Sequence, residues 1–176
     1  MITDRVEVRA LTRREIDALQ ITMPSIERMI DGIRTHSHAG RFRIQEEGAG
    51  DYLIAWVDGQ PAGHVLVRWA GASDPRLHER IGRDPYVEGL AVRTDLQSRG
   101  VGTAIMLEAE RRTVARGHTT IGLAVGVENA RARRLYRRLG YRESGFGEFE
   151  VTWTTVDAAG NEGIEGESCT YLVKAL

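Results

Sequence analysis

The 176-residue chain has one cysteine, Cys169, and one lysine, Lys174. A single cysteine excludes an internal disulfide and a cysteine-based zinc site. It lies in a Ser-Cys-Thr-Tyr-Leu-Val run that reads as a buried strand, so a structural role is expected of it. Of the 24 basic residues all but Lys174 are arginine, which leaves almost no lysine for Schiff-base chemistry and argues against pyridoxal-type catalysis. A phosphate-binding loop of the Gly-Lys-Ser or Gly-Lys-Thr type is excluded for the same reason. No uninterrupted apolar run approaches membrane-spanning length, and Asp4, Arg5, Glu7, Arg9, Arg13 and Arg14 crowd the first residues, so no membrane contact and a cytoplasmic location are expected. The net charge of −1 lacks the basic excess that sequence-independent nucleic-acid binding needs.

With 41% apolar and 28% charged residues and no internal repeat or long linker, residues 1–176 are expected to form one domain. Val6 to Val8 alternates like a short strand. Thr12 and Glu15 form a capping-box pair ahead of a helix running towards Met23. Pro24 and Ser25 restart a second helical run carrying Ile26, Met29, Ile30 and Ile33. Tyr52 to Val57, Asp58-Gly59 and Ala62 to Trp69 spell a β-hairpin, because Asp-Gly between two apolar runs favours a tight turn. Gly71 to Pro85, polar and broken by Pro75 and Pro85, reads as a surface loop. A strand Tyr86 to Val92, a helix to about Arg116, a strand Thr120 to Val125, a helix Asn129 to Leu139 and strands Tyr141 to Trp153 and Cys169 to Val173 complete the pattern. Strands alternating with helices in the middle and hairpins at both ends imply an α/β domain with a mixed sheet.

Between the strand ending at Val92 and the following helix lies Gln97-Ser98-Arg99-Gly100-Val101-Gly102. A strand feeding a glycine turn and a helix N-terminus leaves backbone amides unpaired and pointing outward, which suits a phosphate; a plain connecting turn has the same spacing. A dinucleotide fingerprint would place glycine or alanine where Ile105 stands, so that reading fails. About 30 residues later, Asn129 is a good helix N-cap and Gly140 a good terminator, with Ala132, Leu135 and Leu139 on one face and Tyr136 beside it.

In Leu90-Ala91-Val92, in Gln97 to Gly102 and in the Asn-x-x-Ala-x-x-x-Tyr pattern of Asn129, Ala132 and Tyr136, the chain resembles the GNAT superfamily of N-acetyltransferases, closely over Tyr86 to Gly145. The resemblance implies a single α/β domain whose mixed, mostly antiparallel sheet is flanked by helices and has a splayed central strand pair. It implies acetyl-CoA as cosubstrate and no metal, with the diphosphate on Gln97, Arg99, Gly100, Val101, Gly102 and Thr103. Leu90, Ala91 and Val92 would run beside the pantetheine, the Val92 N–H donating to the acetyl carbonyl. Asn129 and Ala132 would complete the binding set, and the Tyr136 hydroxyl would protonate the departing thiolate.

An amine of pKa roughly 10.4 is almost wholly protonated at neutral pH, so a base or a desolvating pocket must supply the free form. Glu88 is the leading base by its strand parity with Leu90 and Val92, Tyr86 the reserve, and Glu88 pairing with a nearby arginine the structural alternative. From Glu143 to Glu167 there are seven acidic residues and neither lysine nor arginine, which favours a cationic amine if that segment borders the acceptor and is otherwise a solvated hairpin. His36 to Phe42 would line the entrance, with His36 and His38 facing solvent in a loop. Arg131, Arg133, Arg134, Arg137 and Arg138 would form a solvated helix face, one or two meeting the CoA ribose phosphate. The acceptor is a small-molecule or peptide amine, and a homodimer is compatible with the family. A CoA-binding domain without catalysis is the competing class, and Cys169 as an acyl carrier would require ping-pong kinetics.

Overall fold

Apolar residues at alternate positions and glycine at the turns fold into strands that join one sheet. The computed structural model describes residues 6–24, 29–30, 33–34, 37–156 and 162–176. Among them, nine strands run β1 (Val6–Ala10), β2 (Met29–Ile30), β3 (Ile33–Arg34), β4 (Gly50–Val57), β5 (Gln60–Arg68), β6 (Tyr86–Val92), β7 (Thr120–Gly126), β8 (Arg142–Val156) and β9 (Glu162–Ala175). Five helices accompany them: α1 (Ile16–Thr22), α2 (His38–Glu46), α3 (Pro75–Ile81), α4 (Val101–Ala115) and α5 (Ala130–Arg138). The sheet order is β1-β4-β5-β6-β7-β9-β8-β2-β3. Every neighbouring pair is antiparallel except β6 and β7, which α4 connects as a parallel crossover.

Helices cover both faces. Ile121, Leu123, Val125 and Leu172 meet Ile105, Met106 and Ala109 of α4 and Tyr136 of α5 on one face. Tyr52, Ile54 and Leu66 meet Leu19 of α1 and Phe42 of α2 on the other, each fully buried aliphatic contributing about 1.5–3 kcal/mol. The expected hairpin is β4–β5, its turn residues Asp58 and Gly59 at φ +49° and +73° as a primed two-residue turn requires.

Three expectations change. Met29, Ile30 and Ile33 lie in the short strands β2 and β3 rather than a second helix, while Ser25 and Ile26 fall outside the described residues. Pairing of Met29 with Thr154 on the sheet edge outweighs helical spacing for residues that include β-branched Ile30 and Ile33. The stretch Gly71 to Pro85 contains α3: Asp74 caps it by accepting from the Arg76 N–H at 2.9 Å, and Pro75 starts the helix instead of breaking a chain. Finally, β9 begins at Glu162 rather than Cys169, its polar first half being drawn into pairing by β8 from Val156 to Glu148.

The central parallel pair is short. Only Tyr86↔Gly122 and Val87↔Leu123 face one another, after which β6 follows β5 and leaves β7. Between His64 and Leu66 the β5–β6 register shifts, because β6 carries one extra residue there; Gly89, at φ +66°, supplies the left-handed conformation such a bulge demands. The result is the expected splayed pair, with a wedge opening towards the C-terminal ends of both strands.

Two stability predictions follow from this packing. Tyr171 crosses β7 so closely that a Cβ on Gly122 would stand 1.7 Å from its hydroxyl oxygen, so Gly122→Ala lowers stability by about 1–3 kcal/mol, read as a lower urea midpoint at unchanged slope. At the other end, the Arg9 guanidinium bonds both Glu15 oxygens, at 2.9 and 2.5 Å, and holds that carboxyl down at about 2. A depressed folded-state value means its contribution is present above the ordinary 4.5 and disappears as pH falls through about 2. Glu15→Gln therefore costs less than about 1 kcal/mol at pH 7, and the urea midpoints of variant and parent converge as pH approaches 2.

Candidate active site

The wedge between β6 and β7 is a cleft of about 550 Å³. Glu88, Gly89, Leu90 and Ala91 form one wall and Ala124, Val125 and Gly126 the other, so the cleft follows strand backbone. From Glu88 onward the β7-facing backbone of β6 has no strand partner, and an extended ligand can occupy that place. Asn129, Ala132 and Tyr136 of the α5 side line one end of the cleft; Arg41, His64, Asp74 and Leu77 line the other.

At the α5 end, Asn129 caps its helix by accepting from the Ala132 N–H at 3.0 Å, which leaves its side-chain NH2 for other partners. Tyr136 is 6% exposed and packs edge-to-face on Tyr141 at 5.8 Å. Burial pushes its hydroxyl up to about 12, so it carries its proton throughout the neutral range.

Beyond the strand ends, Val92 and the turn Gln97 to Thr103 lie outside the cleft lining itself. Val92 pairs with Gly63, packs its side chain into the core and accepts from Gln97 Nε2 at 3.0 Å. Arg131 of α5 bonds Gln97 Oε1 and reaches Ser98 Oγ at 3.0 Å, pinning the turn to the second motif. Gly100 caps α4 at φ +96° with no side-chain cap bond, and the first helical bond runs from Ala104 N–H to the Gly100 carbonyl. The amides of Val101, Gly102 and Thr103 thus precede the helix ladder, a ready anion site at the positive end of a four-turn helix. Gly102 also lets α5 approach, since a Cβ there would meet Leu135 at 3.3 Å. Arg99 is exposed at this turn.

At the opposite end, Glu88 Oε2 lies 3.1 Å from Arg68 Nε, while Glu88 Oε1 is buried with no hydrogen-bond partner. The arginine pairing and a buried, unpartnered oxygen therefore coexist in one cleft-lining residue. The bulge breaks the parity expected between Glu88 and Leu90: Glu88 opposes Leu66 and Ala91 opposes His64, so Glu88 shares a face with Ala91, while Leu90 and Val92 pack on the α4 side. Tyr86 keeps the parity of Glu88 but is a buried ring stacked on Tyr171, its hydroxyl pushed far up by burial and by the Glu88 charge. It is a poor proton acceptor at neutral pH.

The acidic run divides. Among the described residues of the run only Glu167 lines the cleft, its carboxylate lying over Gly126, where a Cβ would stand 2.3 Å from Oε2. Glu143 pairs with Arg133 and Glu148 accepts from Ser168 at 3.0 Å, whereas Asp157 lies outside the described residues. His38 is also corrected: it starts α2, is 1% exposed, and bonds the Tyr52 hydroxyl and the Met23 carbonyl at 2.6 Å each. His36 lies outside the described residues. No cluster of potential metal ligands occurs among the described residues, and none of their helices is long and apolar enough to cross a membrane.

Sequence reading placed Arg41 only within the entrance segment His36 to Phe42, with no role of its own, and missed His64 and Asp74. Arg41 and Asp74 sit on helical elements distant in the chain from both motifs, and His64 lies inside an apolar strand; only the hairpin's alternation could have shown that His64 faces the same way as Leu66.

Comparison with known proteins follows this geometry. A profile described as the acetyltransferase (GNAT) family matches residues 18–141. An uncharacterized N-acetyltransferase of Methanocaldococcus jannaschii is 34% identical over 98 residues, covering 52% of this chain and 39% of that protein's length. The ribosomal-protein-S18-alanine N-acetyltransferase from Escherichia coli superposes with TM-score 0.62 at 16% identity, covering 97% of this chain and 93% of its own. A GNAT family acetyltransferase from Elizabethkingia anophelis, solved with acetyl-CoA bound, gives TM-score 0.58 at 13% identity over 98% and 99% of the two chains.

Cys169 lines the cleft but is 3% exposed, and burial with the charges of Glu167 and Glu150 pushes its thiol up to about 12. Iodoacetamide at pH 8 should label it at least tenfold more slowly than a free cysteine, as followed by intact-mass spectrometry.

Proposed function

Because the chain belongs to the acetyltransferase (GNAT) family, we propose that its cleft transfers an acetyl group from acetyl-CoA to a primary amine by direct attack of the amine on the thioester. The observation that carries this reading is the cleft between β6 and β7, lined by a buried, protonated tyrosine and by a carboxylate with one unpartnered oxygen.

The fit to acetyl-CoA rests on three features. Free amides of Val101, Gly102 and Thr103 beyond the left-handed Gly100 suit a diphosphate, with Gln97 and Arg99 at the same turn. The unpaired β6 edge at Leu90, Ala91 and Val92 suits the amide-bearing pantetheine arm, and Asn129, through its free NH2, and Ala132 close its far side. The Val92 N–H serves as donor to the acetyl oxygen. Acetyl-CoA supplies an activated acyl group with a thiolate leaving group of pKa near 8.5, so acid assistance need only be modest.

The residues divide the proton work. An amine arriving as a cation first gives one proton to water, and Glu88 Oε1 then accepts the proton that the neutral attacking nitrogen loses as its bond to the acetyl carbon forms. Tyr136 gives its hydroxyl proton to the sulfur as the carbon–sulfur bond breaks, yielding an amide and free CoA. Exchange of one proton from Glu88 to water and one from water to Tyr136 restores both groups. The cleft lining also holds Glu167 and Asp74; Asp74 is paired with Arg76 and Glu88 with Arg68, so Glu167 is the carboxylate that favours an amine arriving as a cation. Cys169, buried and held protonated, has no part in acyl transfer, which supports one direct step over a ping-pong route.

The deciding assay is thiol release from acetyl-CoA against a panel of small amines, aminoglycosides and peptides with free amino termini. Turnover on any of them supports the reading; acetyl-CoA binding with no turnover across the panel replaces it with a non-catalytic CoA-binding domain. Glu88→Gln is expected to lower kcat by about 10²-fold, leaving the KM for acetyl-CoA unchanged. An unaltered kcat takes Glu88 out of the mechanism.

A further inference from the structure

Arg41 is 6% exposed, yet among the described residues no carboxylate pairs with it. Its Nε is buried with no hydrogen-bond partner, and the side chain forms part of the cleft wall. Nε and Nη2 make up the edge with which a guanidinium grips a carboxylate through two parallel bonds. Strand β6 yields to that edge: a Cβ on Gly89 would stand 2.7 Å from Nη2, so the bulge glycine leaves open the space that any other residue would fill.

The groups packed around Arg41 do not balance its charge. The guanidinium carbon lies 5.8 Å from the centre of the Tyr52 ring. His64, its ring 5.2 Å from that of His38 and 5.7 Å from that of Tyr52, has an unpartnered Nδ1 and is kept neutral by burial and by the Arg41 charge itself. His38 is likewise shifted towards its neutral form, and Tyr52 stays protonated because burial pushes its hydroxyl up to about 12. A buried cation without an anion is costly to keep, and a partner must come from elsewhere.

We propose that Arg41 binds a carboxylate of the acceptor, so that the acceptor is a small zwitterion whose amine reaches Glu88 and whose carboxylate reaches Arg41. The inference rests on the cleft being an amine-acetylating site. It narrows the acceptor from cationic amines at large to amino-acid-like molecules, since a cleft of about 550 Å³ shared with the thioester leaves room for a small molecule only. Glu88 and Arg41 both belong to the acceptor end, one on β6 and one on α2, and the bulge brings them to the same wall.

The test pairs α-amino acids with their own amides, which keep the amine and the side chain and lose the negative charge. Two measurements are made on the full chain: kcat/KM with acetyl-CoA, and calorimetric binding in the presence of CoA. Wild type is expected to favour acid over amide by about 10- to 100-fold, the scale of a charge-assisted hydrogen bond. In Arg41→Gln that ratio should fall to near 1, and in Arg41→Lys, which keeps the charge but not the fork, it should fall at least several-fold. A general loss of folding lowers both members of a pair and leaves the ratio standing. Equal treatment of acid and amide by wild type overturns the proposal, as does an acid preference that persists in Arg41→Lys and Arg41→Gln. Acids that bind through Arg41 without thiol release would uphold this site and overturn the transferase reading; amide formation without acid preference would do the reverse.

Discussion

Strand β6 leaves β7 after two residue pairs because its other neighbour, β5, carries it around a bulge at Gly89. A parallel pair would otherwise continue to bond along its length, and no cleft would exist. One extra residue in one strand bends it and strengthens its twist. Here that bend opens the sheet, frees the backbone of Glu88 to Val92 on its inner side, and puts Glu88 on the same face as Ala91 rather than Leu90. The same glycine makes space for Arg41 Nη2. The cleft, Glu88 and the unpaired guanidinium thus share one backbone distortion.

Charge is distributed in the way such an opening requires. The start of α4 presents helix amides and a left-handed glycine, with Arg131 tying the turn to α5. The end of the cleft away from α5 holds Glu88, Arg41 and His64 at low exposure, where water screens them weakly and interactions are correspondingly strong. Between them, burial keeps Tyr136 protonated and Cys169 unreactive. Both tyrosines line the cleft, but Tyr136 does so beside α5, whereas Tyr86 is stacked on Tyr171 and pushed further up by burial and the Glu88 charge.

Much of the donor side was legible because it is encoded locally. Gly100, Gly102 and Asn129 have their roles through backbone conformation and helix capping within a few residues of themselves, and Tyr136 follows one turn after Ala132. The capping pair Thr12 and Glu15 and the Asp58-Gly59 turn were legible for the same reason. Errors arose where a distant partner overrode a local preference. Met29 and Ile33 have helical spacing but a sheet edge beside them, and Pro75 looks like a breaker until Asp74 is seen capping a helix that starts on it. The polar residues after Glu162 carry no strand period, yet they pair with β8.

The sequence by itself determined the family, the mixed sheet and the glycine-capped start of α4, since the motifs behind them are residues close together in the chain whose backbone preferences are nearly independent of context. Only the tertiary structure decided the end of the cleft away from α5. Arg41 on α2, His64 on β5, Asp74 ahead of α3 and Glu88 on β6 come from four separate elements, and no spacing links them. Their meeting depends on the order of strands in the sheet and on the extra residue that flips the face of β6. A one-residue change of register moves every later side chain to the opposite face, so local pattern could place Glu88 on a strand but could not say which side of the sheet it would serve.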